Sequence, residues 1–191
     1  MVRKSFALLF ALALVLFSQV PAGPEQVGRR SPELALALGG GRQVLLSQFS
    51  GKVVALAFIH TTCPHCQAAM KVLARIQTEF RAQGFQALAL AFNDNAALLI
   101  PEFVRENGIN FPVGAGVVQN LYAYMDSPPR PIMLPQLFFI DRKGIIRAYH
   151  AGNDSFFLPG NVEANMRAEI EKLLQQSGGA AHSQAIHKTA Q

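Results

Sequence analysis

From Lys52 to His60 the chain reads KVVALAFIH, a continuous apolar run of the kind that fills a strand buried on both faces. A second such run, FQALALAF, covers Phe85 to Phe92. Between them the pattern changes period. Pro64 suits the first turn of a helix, where its missing N–H costs nothing, and Ala68, Met70, Leu73, Ala74 and Ile76 then supply helix formers and an apolar face up to Gly84. Strand, helix, strand is a crossover unit, expected to be right-handed. Elsewhere, Gln43 to Leu46 reads as a short strand, Pro101 to Asn107 as a helix closed by Gly108, and Gly116 to Tyr124 as a third short helix. After the proline-rich loop SPPRP come QLFFI, the turn DRKG and IIRAYH, a hairpin with Gly144 at its tight position. A last helix is expected over Val162 to about Gln175. Residues 177–191, SGGAAHSQAIHKTAQ, are small and polar enough to read as a disordered tail.

The N-terminus follows a different rule. Arg3 and Lys4 precede an apolar run from Phe6 to Phe17, and Val20 and Ala22 stand where a signal peptidase requires small or aliphatic residues. Residues 1–22 therefore read as a secretory signal, with 23–30 as a linker and 31–176 as one domain. The run falls short of the roughly 18 to 20 apolar residues that span a bilayer, so an uncleaved anchor is the alternative rather than the first reading. The mature protein is expected outside the cytoplasm, in the periplasm or an equivalent space.

Composition adds less. Half the residues are apolar, which suits a soluble domain large enough to bury its own core. The net charge of +5 becomes +3 without Arg3 and Lys4, and the remaining charges are scattered. A nucleic-acid partner needs a clustered basic stripe and is not expected.

Export gives meaning to the only two cysteines, Cys63 and Cys66 in FIHTTCPHCQAA. A disulfide over so short a loop constrains the unfolded chain little, so a purely structural bridge is a poor explanation. The pair lies where the first apolar run meets its helix. A cysteine there is favoured as thiolate by unpaired backbone N–H groups and the positive end of the helix dipole, while the second lies almost one turn in, shielded by the helix. Cys63 is expected to attack and Cys66 to resolve the mixed disulfide. His65, between them, can stabilise a Cys63 thiolate and so make the couple more oxidising.

On three stretches, SPELALALGGGRQVLLSQFSGK, KVVALAFIHTTCPHC and MLPQLFFIDRKGIIRAYHAG, the chain resembles the thioredoxin-like thiol-disulfide oxidoreductases of the bacterial envelope, of TlpA/ResA type and related to the AhpC/TSA group. The resemblance implies an α/β, thioredoxin-like fold, with a central mixed sheet flanked by helices and an N-terminal strand extension. It implies exchange with protein thiols or disulfides, resetting by a membrane-bound or soluble redox partner, and no cofactor. It makes Cys63 and Cys66 catalytic, and places Thr62, Pro64, His65, Leu134 and Pro135 around them as redox-tuning or substrate-binding residues, with Pro135 as the family's cis-proline facing the dithiol.

Departures from the family are equally legible. Thr62 replaces the tryptophan that usually precedes the first cysteine, and the chain has no tryptophan. Ala57 and Ala69 stand where relatives carry an acid-base carboxylate, which leaves His65, His60 or water to move protons. The family leans towards reductants and the CPHC motif towards oxidants, so the direction of electron flow stays open. Two other readings remain. A Sco-like copper module can use Cys63, Cys66 and a distal histidine such as His150. A thiol peroxidase wants a threonine where His60 stands. A zinc site lacks two further ligands, since the tail residues His182 and His187 are poorly placed.

Overall fold

The computed structural model describes residues 26–188, with side chains to Gln176. The expected signal segment 1–22 lies outside the described residues. Seven strands form one mixed sheet: β1 (Ala35–Ala37), β2 (Gln43–Leu45), β3 (Val53–Ile59), β4 (Phe85–Ala91), β5 (Val113–Ala115), β6 (Gln136–Ile140) and β7 (Ile146–Ala151), in the order β2-β1-β5-β4-β3-β6-β7. β3, β4 and β5 run parallel to one another, and the remaining neighbours are antiparallel. The two central strands are the two apolar runs, and every residue of each is buried. The α/β, mixed-sheet architecture with its N-terminal strand pair is the expected one.

The helices are α1 (Pro64–Phe80), α2 (Ala96–Glu106), α3 (Val118–Met125) and α4 (Val162–Lys188). α1 and α4 pack on one face of the sheet through Met70, Leu73, Ile76, Met166, Ile170 and Leu173. α3 covers the other face with Leu121 and Tyr124. α1 opens with Pro64 at its first position, and Gly84, in the left-handed region at φ 89°, ends the short 3-10 turn that follows it.

Four elements differ from the sequence reading. α2 begins at Ala96, ahead of Pro101, because Leu98 and Leu99 donate to the Asn95 carbonyl and Ala96 is buried against the core; Pro101 is carried inside the helix. β5 was not anticipated. Its three residues include Gly114, where a Cβ would lie 2.6 Å from Leu36 Cβ, so the glycine that hides the strand from pattern reading is what lets β1 approach. α4 continues past Gln175 to Lys188, through the segment read as a tail. Residues 26–30, read within a linker, are tied down: Gly28 N–H donates to Ile146 O at 2.8 Å, Arg30 bridges to Ile145, and Gln26 Nε2 reaches Met125 O at 2.9 Å.

Candidate active site

The crossover puts Cys63 just beyond the C-terminal end of β3. It is the N-cap of α1, with φ −82° and ψ 117°, and its Sγ accepts the Cys66 N–H at 3.4 Å. Both cysteines are free thiols. Their surroundings differ sharply: Cys63 is half-buried, whereas Cys66 has no exposed surface and belongs to the core beneath α1. Burial pushes the Cys66 thiol far above the ordinary range and the neighbouring Cys63 sulfur adds to this, while backbone hydrogen bonds from His60 and Cys66 oppose it.

The turn before the motif is held from three sides. Asn93 Oδ1 accepts from Thr61 N–H at 2.8 Å and from Thr61 Oγ1 at 3.2 Å, Gln67 Nε2 donates to Thr61 O at 2.9 Å, and Cys63 N–H donates to His60 O at 3.2 Å. Thr62, Pro64 and His65 are exposed around the first sulfur. No hydrogen bond joins His65 to Cys63 among the described residues; the bond into Sγ comes from Cys66 N–H.

The strand beside β3 supplies the second wall. Gln136 pairs with Phe58, so the Leu134–Pro135 bond lies at the same end of the sheet as Cys63, and that bond is cis. Pro135 is buried, and Leu134 packs against the same core cluster as Cys63. Gly152 is indispensable here. Its N–H donates to Met133 O at 3.0 Å, and a Cβ on it would meet Leu134 O at 2.2 Å, so a side chain would displace the proline loop.

Beside Thr62 opens a shallow cleft of about 510 Å³ lined by His60, Phe92, Asn93, Leu99 and Val118, with Asp94 at its edge. The His60 ring meets Phe92 edge-to-face at 4.6 Å. Burial lowers the His60 pKa below its ordinary value, and the Asp94 carboxylate partly offsets this.

The residues expected around the dithiol thus lie at one end of the sheet. Ala57 and Ala69 are buried and bring no carboxylate. His150 is engaged elsewhere: Nδ1 lies 3.0 Å from Asp154 Oδ2 and the ring stacks on Phe156 at 3.8 Å. Among the described residues no group of three or more His, Cys, Asp or Glu side chains is gathered as for a metal ion. Sequence reasoning missed Asn93, Gln67 and Gly152. Only Gly152 left a trace, as a glycine in the HAGND turn after a strand.

The AhpC/TSA family model matches residues 27–149, and the chain belongs to that family. Thiol-disulfide oxidoreductase ResA of Bacillus subtilis (strain 168) is 28% identical over 139 residues, which cover 72% of this chain and 75% of that protein. Among solved structures, a thiol:disulfide interchange protein of the thioredoxin family from Chlorobium tepidum TLS superposes with a TM-score of 0.65 at 18% identity, covering 79% of this chain and 99% of that one. A thiol:disulfide interchange protein from Bacteroides sp. gives 0.62 at 17% identity, covering 78% and 90%. The fold is thioredoxin-like, and the enzyme class is oxidoreductase.

Proposed function

We propose that the protein is an exported thiol-disulfide oxidoreductase that exchanges electrons between its Cys63–Cys66 couple and protein thiols or disulfides outside the cytoplasm. The observation that carries this reading is the asymmetry of the two thiols: one half-exposed at a helix N-terminus, its partner buried three residues on with its N–H on the first sulfur. The layout of residues 1–22 supports export. No described helix is long and apolar enough to cross a membrane.

From the dithiol, the Cys63 thiolate attacks one sulfur of a substrate disulfide. That S–S bond breaks, a Cys63–substrate disulfide forms, and the departing sulfur leaves as a thiolate that takes a proton. Cys66 then loses its proton and attacks Cys63 Sγ, releasing the second substrate thiol and leaving a Cys63–Cys66 disulfide. Two electrons have passed to the substrate; the reverse sequence oxidises a substrate dithiol. A membrane-bound or soluble redox partner resets the couple. Burial holds Cys66 protonated until the mixed disulfide has formed, so a second attack before the substrate is engaged is suppressed.

The test is insulin reduction driven by a small dithiol. Cys63→Ser abolishes turnover, and Cys66→Ser accumulates mixed disulfides that a gel shift detects. Wild-type turnover by Cys63→Ser sinks the proposal.

A further inference from the structure

At the pole of the molecule opposite the dithiol lies a cleft of about 300 Å³, bounded by the start of β3, the β6–β7 turn and the chain leading into β1. β3 has seven residues, so about 20 Å of strand separates the cleft from Cys63. Four cations line it: Arg30, Lys52, Arg142 and Lys143, with the Ser47 and Ser50 hydroxyls between them.

None of the four makes an ion pair among the described residues. Among the described residues, the carboxylate ion pairs of Arg and Lys are made by Arg75, Arg105, Arg147, Arg167 and Lys172. Arg142 instead donates Nη1 to Gly51 O at 3.0 Å and Nη2 to Gln83 O at 2.8 Å, and its buried Nε has no partner. Arg30 donates to Lys143 O at 3.3 Å, and Lys52 lies 5.7 Å over the Phe49 ring. Carbonyl oxygens and a ring orient these cations without cancelling their charge.

Two carboxylates, Glu33 and Asp141, share the lining, so the four cations outnumber them by two, and neither forms an ion pair with any of the four. Asp141 accepts from the Lys143 and Ile145 N–H groups and from Arg147 Nε at 2.7 Å; Glu33 Oε1 accepts from the Leu34 and Ser47 N–H groups. The arrangement of Arg142 is also built into the backbone. Gly84 sits in the left-handed region beneath it, and a Cβ there would lie 2.6 Å from Nη1. A concave surface with an excess of cations, none of them locked in an ion pair, focuses a positive potential that suits a doubly charged tetrahedral oxyanion.

We infer that this cleft binds a phosphate group. The chemistry is shared by free phosphate esters and by anionic phospholipid headgroups. Residues 26–30 are bonded at this same pole, so the chain preceding them joins the domain on the side of the cleft. A lipid bound there leaves the dithiol pointing away from the bilayer.

The test compares the wild-type full chain with Lys52→Gln/Lys143→Gln, two residues whose side chains make no hydrogen bond among the described residues. Calorimetric titration with inorganic phosphate is paired with sedimentation on phosphatidylcholine vesicles, with and without phosphatidylglycerol. Two lost charges weaken binding roughly 30-fold, with insulin reduction unchanged. The wild-type/variant difference removes any contribution of the N-terminal segment to vesicle binding. A variant-sensitive loss on phosphatidylglycerol vesicles, with phosphate alone binding weakly or not at all, assigns a lipid source. A variant-sensitive loss for phosphate, with vesicle binding indifferent to the variant, assigns a free phosphate. No variant-sensitive binding to either probe overturns the site.

Discussion

The two faces of the central sheet are built from side chains of different size. Facing α1 and α4, the middle of β3 and β4 presents Ala55, Ala57, Ala87, Ala89 and Ala91, with Val53, Ile59 and Phe85 only at the strand ends, and the register sets Ala55 beside Ala87 and Ala57 beside Ala89. Facing α3, the same strands present Leu56, Phe58, Leu88 and Leu90. On that side Phe58, Phe138 and Tyr124 meet at ring distances of 4.9 to 5.8 Å, and Tyr149 stacks on Phe138 at 4.7 Å. The difference teaches how the site is made. Small residues under α1 let the helix settle deep enough to bury Cys66 completely, while the aromatic face anchors the sheet against a single short helix.

The largest effect should come from the aromatic face. Phe138→Ala removes the ring at the centre of that cluster and should cost about 3 to 5 kcal/mol in denaturant unfolding. The folded variant should keep wild-type thiol reactivity, because the dithiol rests on the other face. A loss below about 1 kcal/mol would show that α3 repacks and that the two faces are less distinct than their side chains.

Ala57→Leu tests the small face. Overpacking should cost about 1 to 3 kcal/mol and, unlike the first substitution, should lift α1 and expose Cys66. Alkylation of Cys66 in a Cys63→Ser background should then accelerate and begin at lower pH, since burial is the main reason its thiol stays protonated. Unchanged alkylation would remove the link between alanine spacing and the buried thiol.

Smaller still is the effect of His65, which lies above the small face but is exposed and makes no bond to Cys63. A polar ring beside the first sulfur still favours the thiolate, so His65→Ala should shift the equilibrium potential against glutathione to more negative values. Without a hydrogen bond the shift should stay under about 30 mV, the equivalent of about 1.4 kcal/mol for two electrons. A larger shift would mean that the imidazole turns onto Cys63 in solution.

His60 gives the smallest effect, at the edge of the aromatic face. Its folded pKa lies below the ordinary value near 6.5, so folding favours the neutral ring. The stability it contributes is fully present above that value and is lost as pH falls through it towards the lowered folded pKa. Between about pH 7.5 and 5 the wild type should lose more unfolding free energy than His60→Gln, in matched denaturant titrations. Parallel pH profiles would show that the ring is solvated in both states.

Much of this was legible in the chain. KVVALAFIH and FQALALAF became β3 and β4 because an unbroken apolar run has no other stable place than a two-sided strand. CPHC announced its own position, since Pro64 starts a helix and leaves Cys63 as its cap. Pro135 was identifiable by resemblance, and its bond is cis. β5 was not legible, because a three-residue strand around Gly114 carries no period. The start of α2 was misplaced because Pro101 marks a first turn in the average helix, while here Asn95, in the left-handed region, begins it earlier.

By itself the sequence determined the local grammar: two buried strands, a crossover, a capped helix with two thiols, and a hairpin, all set by hydrophobic period and by proline and glycine stereochemistry. It also held the alternation of alanine with leucine and phenylalanine. Which face that alternation served was decided only by the tertiary structure, where the right-handed crossover puts α1 on the alanine side and α3 covers the leucine and phenylalanine side. The same packing decided that Cys66 is buried and Cys63 only half-buried, that Asn93 and Gly152 brace the site from distant loops, and that four cations scattered from Arg30 to Lys143 line one cleft. Those are relations between residues far apart in the chain, and only the closed sheet brings them within reach of one another.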